Sequence, residues 1–139
     1  MHVFEDIETF STRKLKECGT YRYASDPSTD VHFVCFAIDD GPVQVWRPGD
    51  PVPPPFIDPR AYTFVWDNWT FERRIHEFIL TPRYGFAPIP LANQDCAERH
   101  ALANAYPAKL ETRCIALDLP FRKDPEAHKA MLRLARPYK

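Results

Sequence analysis

The sequence lacks the features that mark several specialised classes of protein. Its four cysteines show no Cys-x-x-Cys spacing, which excludes a zinc ribbon and a dithiol redox motif and predicts reduced, partly buried thiols. No apolar run approaches the roughly 20 residues that a membrane helix needs, and no signal peptide is evident. The chain also has no internal repeat and no low-complexity tail. We therefore expect a cytoplasmic protein with no membrane partner.

The chain has almost no net charge. Its formal charge is -1 over 139 residues, whereas nucleic-acid-binding proteins usually carry a basic surface. Any contact with DNA must then come from a local patch and from metal. The length is most simply that of one domain, residues 1–139, and is sufficient for a real hydrophobic core.

The first eleven residues form an apolar, β-prone run that contains Asp6 and Glu8. Side chains two residues apart on a strand project from the same face, so the two carboxylates should lie close together. Such a pair is tolerated if it is solvated, shares a proton or holds a hard divalent cation. The spacing alone leaves these three alternatives open.

A second aromatic and β-branched run, residues 62–66, predicts another strand. Residues 69–80 follow it with a helical pattern. The predicted buried stripe of this helix is Phe71, Ile75, Phe78 and Ile79. Glu72 falls in the first turn, where the helix dipole favours a negative charge. We expect it to face the end of the first strand, which carries Asp6 and Glu8.

Between these runs, residues 31–38 and 43–46 predict two strands of an antiparallel meander. Residues 48–59 contain six prolines, which leaves room for a single helical turn around residues 56–62 or for an extended polyproline connector. An SH3-type peptide motif is the alternative for this connector. Further helices are predicted at residues 11–17, 95–105, 109–117 and 124–135, with a bend at 21–27 and a loop at 81–90.

Two motifs resemble the first and second motifs of DEDD-type 3′-to-5′ exonucleases. They are Asp6-Ile-Glu8 at the end of the first strand, and Asn68-x-x-Phe71-Glu72 at the start of the helix. More of the chain resembles the N-terminal region of bacterial and bacteriophage-type family A DNA polymerases, and this similarity covers nearly its whole length. The segments that carry it are 6–9, 19–24, 27–29, 40–46, 117–120, 122–124 and 131–137.

The resemblance implies an RNase H-like α/β fold, with an antiparallel meander, a parallel central strand and C-terminal helices. It implies hydrolysis of phosphodiester bonds at the 3′ ends of single-stranded DNA with two Mg²⁺ or Mn²⁺ ions. Asp6 and Glu8 would be direct metal ligands, and Glu72 an outer or weaker one. The usual residue at the Glu72 position is Asp, so the additional methylene moves this carboxylate.

The resemblance also implies a set of substrate-binding residues. Thr9 and Phe10 would lie near the terminal nucleotide. Asn68 and Phe71 would fix the turn and the packing beneath the site. Trp69 is a candidate base-stacking platform, and Arg73 completes the predicted set.

One required feature is missing from the pattern. DEDD sites have a fourth acid in the spacing Tyr-x-x-x-Asp or His-x-x-x-x-Asp, and no Tyr or His of this sequence has an Asp at that offset. We expect a family member cut short before its last active-site helix and lacking the polymerase domain. Three alternatives remain for such a protein. It would be an active exonuclease, or a catalytically incomplete domain that binds nucleic acid or a partner protein, or a domain whose site is completed by a second copy or a polymerase subunit.

Three weaker features have alternative explanations. Glu72 and His76 are spaced so that they could chelate a metal, but such a pair is usually an ordinary helix contact. Asp95 and Asp118 could replace the missing acid, although a helix cap and a helix end explain them. The last third of the chain has a basic bias that could guide single-stranded nucleic acid or could simply be solvated. Its residues are Lys109, Arg113, Arg122, Lys123, Lys129, Arg133 and Arg136.

Overall fold

The computed structural model of the protein describes residues 1–122 and 124–136. Lys123, part of the predicted basic bias, and Pro137, part of the resembling segments, lie outside the described residues. The strands are β1 (His2–Phe10), β2 (Asp30–Ile38), β3 (Gln44–Trp46), β4 (Thr63–Trp66) and β5 (Gln94–Cys96). Among the described residues, no helix is long and apolar enough to cross a membrane.

The five strands form one mixed sheet in the order β3-β2-β1-β4-β5. β1 pairs antiparallel with β2, and β2 pairs antiparallel with β3, which confirms the predicted meander. β4 lies parallel to β1, and β5 lies parallel to β4. The predicted α/β class is therefore confirmed, and the strand order and directions are consistent with an RNase H-like fold.

The helices connect and flank this sheet. They are α1 (Leu15–Ala24), α2 (Pro54–Ile57), α3 (Trp69–Ile75), α4 (Thr81–Tyr84), α5 (Ala97–Ala103), α6 (Leu110–Ala116) and α7 (Pro125–Leu134). A π-helical segment (His76–Leu80) joins α3 to α4, and 3₁₀ turns occupy Pro59–Ala61 and Leu91–Asn93. The predicted helices at 109–117 and 124–135 are confirmed by α6 and α7. Asp124 caps α7 by accepting hydrogen bonds from the backbone N–H groups of Glu126 and Ala127.

The prediction for residues 11–24 was wrong in its helix limits. The helix begins at Leu15 and continues to Ala24, so the predicted bend at 21–27 is partly helical. Gly19 breaks this helix with φ 76° and ψ 166°. Glycine adopts a positive φ at little cost because it has no Cβ. Gly19 therefore separates two short helical segments, residues 15–18 and 20–24.

The proline-rich connector forms short turns. α2 provides one helical turn, and a 3₁₀ turn follows it before β4 begins. This agrees with the predicted single turn, although the turn begins earlier than expected. Phe56 of α2 is fully buried, and its ring lies 5.4 Å from that of Phe64 on β4. The connector is thus fixed to the core by an aromatic side chain.

The helix after β4 is longer than predicted. It continues beyond Leu80 through α4 and ends at Gly85, which adopts the left-handed conformation. Pro82 lies where the π-helical segment passes into α4. The prediction of a loop over 81–90 was therefore wrong for its first four residues. The predicted stripe is confirmed, because Ile75 and Ile79 are fully buried, and Phe71 and Phe78 pack against the same core.

The strand β5 was not predicted. The sequence favoured a helix over residues 95–105 capped by Asn93 or Asp95, but residues 94–96 pair with β4 and the helix α5 begins at Ala97. Asp95 therefore lies on a strand. Its carboxylate accepts a hydrogen bond from the backbone N–H of Cys96 and lies 2.6 Å from Nε2 of His100.

Candidate functional site

The two carboxylates predicted on the first strand lie on one face of β1. Burial alternates along the strand, with Val3 and Ile7 in the core and Asp6 and Glu8 on the opposite side. Cys35 on β2 pairs with Asp6. Burial raises the pKa of the Cys35 thiol, and the charges of Asp6 and Glu8 raise it further. The two side chains therefore lie on the same side of the strand, as predicted. We call this side of β1 the acidic face.

Asp67 brings a third carboxylate towards Asp6. β4 is in register with β1 up to the pair Phe4 and Val65, and Asp6 and Asp67 each follow this pair by two residues. Partial removal of Asp6 from solvent raises the pKa of its carboxyl, and the charges of Glu5 and Asp67 raise it further. The end of β4 thus lies within electrostatic reach of the acidic face. Sequence patterns did not single out Asp67, because it appeared only as part of the break between strand and helix.

Glu72 lies in the first turn of α3, as predicted, and is buried, with 5% of its surface exposed. Burial raises the pKa of Glu72 to about 8. The charges of Asp6, Glu5 and Asp67 also raise this pKa, whereas a hydrogen bond from the backbone N–H of Glu72 lowers it. Its Oε2 atom has no hydrogen-bond partner among the described residues. Glu72 is therefore largely protonated at neutral pH.

A buried network lies behind the acidic face. Glu5 points into the core from β1 and accepts a hydrogen bond from Nε1 of Trp66 at 2.6 Å. The same carboxylate lies 2.9 Å and 3.1 Å from Nε2 of His76. His76 is thus engaged with Glu5, which argues against the alternative in which it chelates a metal with Glu72. No local pattern predicted this network, because its partners come from three separate elements.

Arg113 of α6 binds the end of β4. Its Nη1 donates to Oδ1 of Asp67 at 2.6 Å, its Nε donates to the carbonyl of Pro107 at 3.2 Å, and its Nη2 donates to the carbonyl of Ala108 at 2.5 Å. The residue is buried, with 6% exposed. Arg113 was predicted as part of a basic surface, and that prediction is wrong because the side chain is used inside the protein.

The predicted substrate-binding residues near the end of β1 separate onto two sides. Thr9 is buried, and its hydroxyl lies 3.0 Å from that of Tyr23, on the side away from the acidic face. Phe10 is half-buried, with its ring 4.6 Å from that of His32. Only Phe10 therefore shares a side of the strand with Glu8. The substrate-binding roles of both residues stay predictions.

The other predicted substrate-binding residues lie around the start of α3. Asn68 is exposed and precedes the helix, while Phe71 packs towards Tyr23 with ring centroids 6.1 Å apart. Nε1 of Trp69 donates to the side chain of Gln94 at 2.8 Å, and the guanidinium of Arg73 lies 4.8 Å from the centre of the indole ring. One face of this indole is therefore covered by a cation, which restricts base stacking to the remaining surface.

A cavity opens beside Glu8, between the sheet and α7. It has a volume of about 290 Å³ and is lined by Glu8 and Thr9 of β1, His32 of β2, and Met131 and Leu134 of α7, among others. α7 is fixed there by hydrogen bonds from the Ser11 backbone N–H to the Ala135 carbonyl and between His32 Nε2 and the Leu134 carbonyl. The C-terminal helix therefore forms a wall next to one of the predicted metal ligands.

The predicted metal ligands do not form a complete coordination site in this conformation. Within residues 1–122 and 124–136, no three His, Cys, Asp or Glu side chains lie close enough together to hold a metal ion. Asp6 and Glu8 share a face, whereas the unpartnered oxygen of Glu72 is buried. Metal binding by these three residues stays a prediction.

No protein-family model matches the chain. Over 133 residues it is 30% identical to a protein described as a DNA polymerase of Bacillus phage SP02. The match covers 92% of this chain and 20% of that relative, so the chain spans about a fifth of the length of the curated protein that it matches. The chain is related to part of a phage DNA polymerase. This agrees with the coarser part of the resemblance seen in the sequence.

Proposed function

We propose that this protein is a metal-dependent 3′-to-5′ exonuclease domain that acts on the 3′ ends of single-stranded DNA. The observation that carries the proposal is the projection of Asp6 and Glu8 from one face of the central strand. Asp67 and Glu72 lie within electrostatic reach, since the charge of Asp67 raises the pKa of Asp6 and the charge of Asp6 raises the pKa of Glu72. The relationship to part of a phage DNA polymerase supports it independently.

The donor set suits a hard divalent cation in part. Asp6 is exposed and Glu8 is half-exposed, so both can offer carboxylate oxygens, which Mg²⁺ and Mn²⁺ prefer. Glu72 would join them as a weaker ligand after loss of its proton. When bound, such ions supply activation of water and stabilisation of the charge that develops on the phosphate. The residues of this chain supply the charge that attracts the ions and the surfaces that orient the DNA.

The cavity beside Glu8 is the best candidate in the structure for the terminal nucleotide. Its walls combine one carboxylate with apolar side chains from α7 and β2, and Phe10 shares that side of β1. Exposed cations on and near α7, Lys129, Arg133 and Arg136, could hold the backbone of the strand. In this proposal these three residues are the part of the predicted basic bias that contacts the DNA.

A second candidate function is binding without catalysis. The chain contains no Tyr-x-x-x-Asp or His-x-x-x-x-Asp spacing, and its described acids do not form a three-donor cluster. The domain would then bind nucleic acid or a partner protein, or would receive its missing acid from a second copy or from a polymerase subunit. Only the first candidate function predicts cleavage of single-stranded DNA by the isolated chain.

The deciding experiment is digestion of a 5′-labelled single-stranded DNA in Mn²⁺. The test variant is Asp6→Asn with Glu8→Gln, which removes two charges while keeping side-chain shape. Asp40→Asn with Asp58→Asn is the matched control, because these carboxylates are exposed and remote from the site. Stepwise shortening from the 3′ end by the wild type and the control, absent in the test variant, is the expected result. If the wild type and both variants leave the DNA intact but still bind it, the second candidate function is favoured.

A further inference from the structure

The side chain of Arg113 is the buried cation nearest to the proposed site. All three of its nitrogens are directed at oxygens inside the protein: the carboxylate of Asp67 and the carbonyls of Pro107 and Ala108. Several hydrogen bonds from one guanidinium hold the bonded groups in a defined arrangement, in addition to balancing a negative charge. Arg113 thus ties the connection between α5 and α6 to the residue that follows β4.

The residues next to this contact begin the helix that carries Glu72. The carbonyl of Asn68 accepts hydrogen bonds from the backbone N–H groups of Phe71 at 2.9 Å and Glu72 at 3.4 Å. The carbonyl of Asp67 also accepts a contact from the Cys96 thiol at 3.5 Å. A displacement of Asp67 would therefore move the start of α3 and, with it, the Glu72 side chain.

We propose that Arg113 is a positioning residue: it sets the location of Glu72 relative to Asp6 by holding Asp67. This inference rests on the proposed function. It gives α6 a role in the site, although none of its residues was predicted as a ligand. Arg113 also compensates the charge of Asp67, which would otherwise stand unpaired beside Asp6 and Glu72.

Direct binding of a DNA phosphate by Arg113 does not fit its surroundings. The side chain is 93% buried, and each of its three nitrogens already donates a hydrogen bond within the protein. A phosphate would have to displace Asp67 or the carbonyls of residues 107 and 108. Arg113 therefore acts through Asp67 and is not a catalytic residue.

The test compares two variants. Arg113→Gln removes the charge and most of the donors, whereas Arg113→Lys keeps the charge. Arg113→Lys is also the variant to use if Arg113→Gln does not fold. Arg83→Gln is the matched control, because Arg83 also bonds a backbone carbonyl, that of Thr29 at 2.8 Å, and lies 3.7 Å from Asp30. Two quantities are measured for each: native-state hydrogen exchange, and kcat and KM for 3′ shortening in Mn²⁺.

We expect the amides of Phe71 and Glu72 to exchange at least about 10-fold faster in the Arg113 variants, relative to the amides of Ile7 and Val34 in the β1–β2 ladder. We also expect kcat to fall by about 10- to 100-fold with little change in KM, as is typical for residues that support a metal ligand. Lysine should give the smaller effect, and Arg83→Gln should change neither quantity.

Unchanged relative exchange at Phe71 and Glu72 in a folded Arg113 variant would overturn the proposal, whatever the activity. A fall in kcat that is matched by Arg83→Gln would also overturn it, because the effect would then be general destabilisation. If the wild type cleaves no DNA, the proposed function fails separately. The exchange result then still decides whether Arg113 positions the start of α3.

Discussion

Glu72 should make the stability of this protein fall as the pH rises. Burial raises its pKa from the ordinary value of 4.5 to about 8, so between these values the native state keeps a proton that the unfolded chain has released. The free energy of unfolding then decreases with pH over this interval, because the native state binds more protons than the unfolded state. Below pH 4.5 both states are protonated, and the effect is absent.

The size of this effect follows from the shift. One pKa unit corresponds to about 1.4 kcal/mol, so the full loss above pH 8 approaches about 5 kcal/mol, with about 3 kcal/mol already lost at pH 7. A domain of this size has a total stability of about 5–15 kcal/mol, so the loss is large enough to measure easily. Glu72→Gln stays neutral at every pH and should escape it.

The assay is urea denaturation of the wild type and Glu72→Gln from pH 5 to pH 9, without divalent cations. We expect the variant to become progressively more stable than the wild type as the pH rises from 5 to 8. Glu111→Gln is the control, since Glu111 also lies in the first turn of a helix but is exposed. A stability difference between Glu72→Gln and the wild type that is the same at pH 5 and pH 8 would refute the reasoning.

Two further predictions concern the two faces of β1. In a variant whose sole cysteine is Cys35, Mg²⁺ should accelerate alkylation several-fold at pH 8, because a cation on Asp6 and Glu8 would offset the charges that raise the thiol pKa. The same acceleration without Mg²⁺ is expected after Asp6→Asn and Glu8→Gln, and an unchanged alkylation rate in both cases would contradict it. On the core side, Glu5→Ala should cost about 3–5 kcal/mol in urea denaturation because His76 and Trp66 lose their buried acceptor, while Glu5→Gln should cost less. Equal costs for the two Glu5 variants would show that the hydrogen bonds contribute little.

Local patterns predicted the elements that depend on neighbouring residues. The alternation along β1, the antiparallel meander with β2 and β3, the strand β4 and the helices α6 and α7 were all evident in local patterns. The parallel direction of β4 was implied by the family resemblance. The Asp124 cap and the proline at the start of α7 illustrate why, since both act within one helical turn. The predictions failed where a distant partner decides the structure. Residues 94–96 have no strand pattern of their own and form β5 because β4 offers an edge to pair with.

The sequence by itself determined that Asp6 and Glu8 share one face of the first strand, because the two-residue period of a strand allows no other arrangement. It also determined that Glu72 lies in the first turn of the helix after β4. Tertiary structure alone decided the charge states and contacts around them. Glu5 meets Trp66 and His76, and Arg113 meets Asp67, across separations of 46 to 71 residues. Burial of Glu72 and the pairing of Arg113 depend on how these distant segments pack, and no local pattern encodes that packing.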